Sequence, residues 1–374
     1  MRIQLIEPYF TGSHKRWAEG FASFSRHSVD ILSLPGRYWK WRMHGGAVNL
    51  ARTWRKRDSR PDLIFTTDMI DLTTFLALTR PDSAMIPAVV YFHENQLSYP
   101  WSPDDRDILY KRDRHYGFIN YATALAADRI CFNSGYHLTS FFEELPRLLK
   151  NFPDYQGLEN IPRIREKSHV LPVGLDLSRL EKPQSFRPEE KSILPDLPLI
   201  LWNHRWEYDK NPEDFFKALS ELDERGWDFQ AALLGENFSR RPEEFQRAQE
   251  NLGKKIIHSG YVDSFEEYAG WLHAADLLPV TSNQDFFGIS VAEAAACGCY
   301  PLLPNRLSYP ELFPPESWEN HYYQNFDELV EKLVWAMENM ETVRNTDLSS
   351  QVSCFDWNNL IHKYDDYLES IRKN

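Results

Sequence analysis

D-F-F-G-I-S-V-A-E-A-A-A-C-G-C-Y-P, residues Asp285–Pro301, sets two carboxylates eight positions apart around a glycine and then runs into small residues. If Ile289–Cys297 is a helix, Asp285 lies in the loop before it and Glu293 sits about one turn inside. The backbone N–H groups of a first helical turn have no intrahelical partner and favour an anion. Such a loop can hold a phosphate while its two carboxylates accept hydrogen bonds from sugar hydroxyls. The segment therefore points to a nucleotide-sugar site carried by a helix that feeds the strand at Tyr300–Leu303.

Outward from this segment, short apolar runs alternate with helical patterns through the whole chain. The first half gives strands at Ile3–Glu7, Val29–Leu34, Asp62–Thr66, Ala88–His93, Arg129–Phe132 and Ser168–Pro172, with helices at Lys15–Arg26, Asp107–Ala126 and Tyr136–Lys150. The second half gives strands at Leu199–Asn203, Gln230–Leu234, Ile256–Ser259 and Leu277–Val280, and helices at Pro212–Arg225, Pro242–Leu252, Ser264–Ala275 and Phe326–Asn339. Alternation of this kind implies α/β domains built on parallel sheets covered on both faces. A chain of 374 residues exceeds one ordinary core, so two domains are expected. Glu181–Asp196 is polar, proline-containing and unpatterned, which makes it the linker. Two doubly wound domains would then face a central cleft at the carboxyl ends of their strands.

The net charge of −13 is unevenly spread. Residues 1–180 carry 24 Lys and Arg against 20 Asp and Glu; residues 181–374 carry 18 against 35. An anionic partner is thus expected on the N-terminal side only. No apolar run of about 18 residues exists, which excludes a transmembrane helix. The start, MRIQLIEPYF, reads as a strand rather than a secretory signal. The four cysteines (131, 297, 299 and 354) form no zinc spacing, and a reduced cytoplasmic setting is expected.

After the strand at Leu199, the sequence N-H-R-W-E-Y-D-K-N-P places Arg205 and Lys210 ahead of the helix that starts at Pro212. Cations fixed there would stabilise the charge on a departing diphosphate. The N-H-R-x4-K string, followed by the Asp285-x7-Glu293 segment and A-C-G-C-Y-P, resembles the family 4 glycosyltransferases of GT-B architecture. That resemblance implies two Rossmann-like domains (1–185 on the acceptor side and 186–354 binding the nucleotide sugar) and a terminal helix over 355–374 that crosses back to the first. It implies retaining transfer of a hexose with no cofactor and no required metal. Arg205 and Lys210 would hold the diphosphate, Glu293 the ribose, and Asp285 the donor-sugar hydroxyls. The backbone of Phe286, Phe287 and Gly288 would lie nearby, and Gly12 would form the loop over the phosphates. The family more often has Glu where this chain has Asp285, and many members have a second glycine beside Gly12. Arg205→Ala and Lys210→Ala are both expected to abolish transfer while leaving the fold intact.

Y-F-H-E-N-Q-L-S-Y-P (91–100) and L-P-G-R-Y-W-K-W-R-M (34–43) are similar to the tRNA-queuosine mannosyltransferases. The similarity implies mannose transfer from GDP-mannose to queuosine in the anticodon loop of an aspartate tRNA. His93, Glu94, Asn95 and His14 would then belong to the acceptor side, with His93 also a catalytic candidate. The residues agree in kind: Arg37, Lys40 and Arg42 interleave with Tyr38, Trp39 and Trp41, a pattern suited to stacked bases and RNA phosphates. A packed aromatic element with snorkelling cations has the same pattern. Three other readings remain open: a glycan, lipid or small-metabolite acceptor, a nucleotide-sugar epimerase, and a non-catalytic RNA-binding module.

Overall fold

The structure is a computed structural model that describes residues 1–58, 60–102, 105–110, 114–184, 186, 193–235 and 250–372. The helix expected at Pro242–Leu252 lies largely outside the described residues, as does part of the expected linker. The chain divides into two compact units, 1–175 with 357–374 and 176–356. The division thus falls about ten residues before the expected boundary at 185.

The first unit contains β1 (Arg2–Phe10), β2 (Ser28–Pro35), β3 (Leu63–Thr67), β4 (Ala88–Phe92), β5 (Arg129–Phe132) and β6 (Ser168–Val170). All pair in parallel, in the order β2-β1-β3-β4-β5-β6. Every residue of β3 (LIFTT) and β4 (AVVYF) is buried. Continuous apolar strands of this sort are what a sheet covered on both faces requires. The covering helices are α1 (Gly12–Phe24), α2 (Trp39–Arg55), α3 (Leu72–Ser83), α4 (Arg114–Ala126) and α5 (Gly135–Leu149).

The second unit contains β7 (Leu199–Trp202), β8 (Gln230–Leu233), β9 (Ile256–Ser259), β10 (Leu277–Pro279), β11 (Tyr300–Pro304) and β12 (Tyr322–Tyr323). Their order is β12-β11-β10-β7-β8-β9, also parallel. Its main helices are α6 (Pro212–Glu224), α7 (Phe265–Ala274), α8 (Ile289–Ala296) and α9 (Phe326–Glu338). Both sheets are doubly wound. Strand order reverses beside β1 and β3 in the first and beside β7 and β10 in the second, and ligands of such sheets bind where it reverses.

The terminal helix α10 (Trp357–Arg372) belongs to the first unit. Trp357 is 1 % exposed and lies over two glycines. A Cβ at Gly20 would stand 2.2 Å from its indole nitrogen, and one at Gly174 would stand 2.4 Å from its ring. Tyr364 of α10 donates its hydroxyl to the Pro172 carbonyl at 2.6 Å and accepts from the Trp17 indole at 3.1 Å. Asp365 receives the Ser25 hydroxyl at 2.6 Å. Trp357→Ala is expected to lower the stability of this unit by about 3–5 kcal/mol in urea unfolding, because the cavity is walled by backbone that cannot collapse into it. Gly174→Ala should cost about 1–3 kcal/mol by overpacking against the same indole.

Candidate active site

In the second unit the chemistry gathers at the reversal of strand order. The loop after β7 carries His204, Arg205, Glu207, Asp209 and Lys210; the loop after β10 carries Asp285 and leads through Gly288 into α8. Lys210 joins the two loops. Its ammonium donates to the Gln284 carbonyl at 2.7 Å and stands 3.3 Å from Asp285 and 3.4 Å from Asp209. Lys210 is 8 % exposed and Asp209 1 %. Arg205 is paired with Glu207 at 3.2 Å and Asp209 at 3.9 Å, yet its side chain stays 45 % exposed. Burial alone would raise the Asp285 carboxyl, but Lys210, His204 and the Gly288 N–H outweigh it and hold the group below its ordinary range.

Gly288 is the N-cap of α8 with φ +94°, a left-handed backbone that favours glycine. A Cβ there would also stand 2.9 Å from Leu312 and 3.2 Å from Tyr309. The Gly288 N–H donates to Asp285 Oδ1 at 2.9 Å, so this carboxylate fixes the turn that leads into the helix. Glu293 lies one turn into α8, as expected, and accepts the Tyr268 hydroxyl from α7 at 2.9 Å. The Phe286 and Phe287 side chains are buried, the latter edge-on to Phe355 at 5.1 Å, so only their backbone is available to a ligand. His204 bonds Ser290 of α8 at 2.9 Å through Nδ1, while its Nε2 is buried without a partner. Burial and the nearby Lys210 push this imidazole down to about 4, so it is neutral.

In the first unit a second cluster sits at the other reversal. Glu7 lies near the end of the buried part of β1; the turn at Thr11 and Gly12 (φ +50°) starts α1, which carries His14. Glu7 accepts the Tyr9 N–H at 2.8 Å and His14 Nδ1 at 3.2 Å. Asp68 follows β3 and accepts the His93 N–H at 2.8 Å. Asn133 donates to the His93 carbonyl at 2.9 Å and receives His137 Nδ1 at 2.8 Å. His93 is therefore clamped at both of its backbone groups. Its ring lies 4.4 Å from His14, 4.6 Å from Trp17 and 4.8 Å from Tyr91, centroid to centroid. Glu94 accepts from Gln96 at 2.9 Å rather than from the His93 ring. Asn95 is buried, and its side-chain oxygen caps the turn at Leu97 and Ser98.

The aromatic-basic string divides between α2 and the turn ahead of it. Trp39 packs on Tyr116 at 5.1 Å and Trp101 at 6.3 Å. Lys40 is held by Asp105 at 2.7 Å and by Asp107 at 2.5 Å. These two residues have the packed arrangement that the sequence pattern equally allowed. Arg42 is tied to the Pro35 carbonyl at 3.0 Å. Arg37 is exposed, as are Tyr38 at 78 % and Trp41 at 59 %. The Trp41 indole lies against Gly45, where a Cβ would come within 2.6 Å of it.

Glu7, Asp68, Asp209, His204 and Tyr268 were not singled out by the sequence reading. Asp68, His204 and Tyr268 meet their partners on other elements, Glu7 and Asp209 matter only once buried beside theirs, and only the hint of an apolar strand ending in a charged residue precedes Glu7 and Asp68.

Residues 2–175 match the family described as tRNA-queuosine alpha-mannosyltransferase N-terminal, and residues 184–348 match glycosyl transferases group 1. The chain is 36 % identical over 322 residues to the tRNA-queuosine alpha-mannosyltransferase of Drosophila melanogaster, covering 85 % of this chain and 83 % of the relative. Among solved structures, a sucrose-phosphate synthase from Thermosynechococcus elongatus superposes with a TM-score of 0.71 at 15 % identity, covering 99 % of each chain. A glycosyltransferase from Rickettsia africae gives 0.70 at 16 % identity, covering 100 % of this chain and 98 % of the other. The fold is thus that of the GT-B glycosyltransferases.

Lys210→Ala would leave Asp209 and Asp285 buried without their shared cation. It is expected to lower stability by about 3–5 kcal/mol in urea unfolding. Arg205→Ala, at a half-exposed site, should stay within about 1 kcal/mol of the parent.

Proposed function

The chain belongs to the tRNA-queuosine alpha-mannosyltransferase family, is a glycosyltransferase, and on that premise we propose that it moves mannose from GDP-mannose onto queuosine in the anticodon loop of an aspartate tRNA, with retention of configuration. The observation that carries the donor half is the Arg205–Lys210–Asp285–Glu293 constellation around the start of α8. Arg205 keeps an exposed guanidinium beside a buried, tightly held ammonium. Charge that develops on a departing diphosphate would meet two cations already fixed by carboxylates, so little reorganisation accompanies bond breaking. Glu293, oriented by Tyr268, would accept the ribose hydroxyls. The departing phosphate would take the acceptor proton on the same face as the attack, which calls for no protein nucleophile, cofactor or metal.

Two features of the first unit support an RNA acceptor. The indole of Trp41 is backed by Gly45 yet more than half exposed, which is the arrangement of a stacking platform. Tyr38 and Arg37 stand next to it at the start of α2, offering a second ring and a cation for a phosphate. His93 is the group in this unit best placed to meet a ligand hydroxyl, because both of its backbone groups are fixed and its Nε2 has no protein partner. Among the described residues no helix is long and apolar enough to cross a membrane.

Incubation of queuosine-containing tRNA with GDP-mannose, UDP-galactose, UDP-glucose or ADP-glucose, followed by nucleoside mass analysis, tests the proposal. A gain of one hexose on queuosine with GDP-mannose alone is expected, and no gain with any donor overturns it. Arg205→Ala should reduce turnover about 100-fold or more. Trp41→Ala should raise KM for tRNA by an amount equivalent to about 1–3 kcal/mol of stacking while leaving kcat little changed.

A further inference from the structure

The cluster around His93 contains more ionisable groups than a buried site can hold in charged form. Glu7 is 0 % exposed and Asp68 is 0 % exposed, and both lie beside the two histidines. Both oxygens of Glu7 are used, one by the Tyr9 N–H and the other by His14 Nδ1. Asp68 Oδ1 takes the His93 N–H, whereas its Oδ2 is buried without a partner among the described residues. His93 Nε2 is likewise buried without a partner among the described residues. An isolated buried charge is costly, so the favoured state of such a cluster keeps one close ion pair and leaves the remaining groups neutral. The geometry selects the pair: Glu7 and His14 are in hydrogen-bond contact, and neither ring nitrogen of His93 contacts a carboxylate among the described residues.

We propose that Glu7 and His14 form a fixed-charge positioning pair for His93: Glu7 keeps His14 as the imidazolium, and the imidazolium pressed against the His93 ring keeps His93 neutral, so that His93 meets a ligand hydroxyl through an unprotonated ring nitrogen. The role given to His93 rests on the reading above; the charge state of the pair does not.

The groups facing these two rings agree on the direction. Burial alone would lower His14, but the charge and hydrogen bond of Glu7 from β1, with Asp68 after β3 and Glu94 after β4, raise it to about 9. Tyr9 meets the same ring edge-on at 5.9 Å. For His93, burial, the charge of His14 from α1 and His137 from α5 all act downward, and Tyr91 of β4 adds a ring without charge. Asp68 is pushed well above the usual carboxylate range by burial first, only partly offset by His14. Since the His14 value is raised on folding, the pair stabilises the fold fully below the ordinary histidine value of about 6.5 and loses that contribution as pH rises through about 9. Glu7, His14 and His93 also offer ligand atoms within 4.8 Å of one another, a spacing that suits a metal ion as well as a proton. Only the proton is compatible with a charged His14.

The test uses the full chain with 15N-labelled histidine and long-range 1H–15N spectra. His14 should show two protonated nitrogens at pH 7.5 and titrate near pH 9, while His93, held below its ordinary range by burial and by His14, is neutral at pH 7.5. In Glu7→Gln, His14 should show only one protonated nitrogen at pH 7.5, because burial then acts on it without its counter-charge. Transfer by Glu7→Gln should then lose kcat/KM as pH drops from about 8 to about 6, where no charged neighbour keeps the proton off His93, a loss absent in the parent. Glu7→Asp, which keeps the charge, should retain the parent's pH profile. A neutral His14 in the parent at pH 7.5, or one equivalent of a metal retained by the purified chain and lost in Glu7→Gln, overturns the proposal. So does a Glu7→Gln variant that is less stable but keeps the parent's pH profile, which would make the pair structural only. The spectra decide the charge state even if no sugar reaches queuosine, so failure of the pair and failure of the proposed reaction are told apart.

Discussion

A parallel sheet gives its ligand-binding loops to one end, and the reversal of strand order decides which two loops can diverge enough to leave room between them. In the second unit those are the loops after β7 and β10, and a single ammonium group holds them to each other. Lys210 reaches the Gln284 carbonyl and the Asp285 carboxylate on one loop and Asp209 on its own. The position of Asp285 then fixes the first turn of α8 through the Gly288 N–H, and α8 in turn presents Glu293. A bond network that runs from one lysine to a helix start is short, buried and fully connected, so each member orients the next.

The two units meet the cost of buried charge in related ways. Lys210 is surrounded by two carboxylates, and the neighbouring His204 is neutral because burial, with Lys210 nearby, disfavours its charged form. In the first unit Glu7 and His14 make one pair while His93 and Asp68 are pushed toward their neutral forms. In both places a neutral imidazole lies beside a paired charge, with its Nε2 buried and unpartnered among the described residues.

Local spacing made part of this legible. Asp285, Gly288 and Glu293 belong to one loop and one helix turn, so their relation survives in one dimension; the same holds for Arg205 and Lys210. Most strands of both sheets were equally readable, because burial on both faces of the central strands leaves unbroken apolar runs; the two-residue β12 was missed. Helices α2 and α3 were not called. Gly45 and Gly46 interrupt the pattern of the first, and Pro81 lies inside the second; tertiary packing overrides both signals. Asp68 gains its meaning from a partner after another strand, and Glu7 and Asp209, whose partners are close in sequence, gain theirs from burial, which no spacing records. Lys40 illustrates the reverse failure: it reads as an RNA-facing cation until Asp105 and Asp107, more than sixty positions away, are found holding it.

Asp285 is the residue for which geometry most narrows the chemistry. An ionised carboxylate accepts about four hydrogen bonds. Oδ1 already accepts from the Gly288 N–H, while Oδ2 faces Lys210 and the Tyr309 hydroxyl at 3.3 Å each. That leaves one lone pair, on Oδ1, for a ligand. A sugar bound beside Asp285 would therefore be read at a single hydroxyl by this side chain, and the remaining hydroxyls would fall to backbone groups of the Phe286–Gly288 turn. A glutamate here would carry its carboxylate one methylene farther from the start of α8 and loosen the hold on Gly288. The shorter side chain thus exchanges reach toward the sugar for a rigid helix start. Discrimination among hexoses then depends less on the identity of this acid than on the backbone turn that it holds in place.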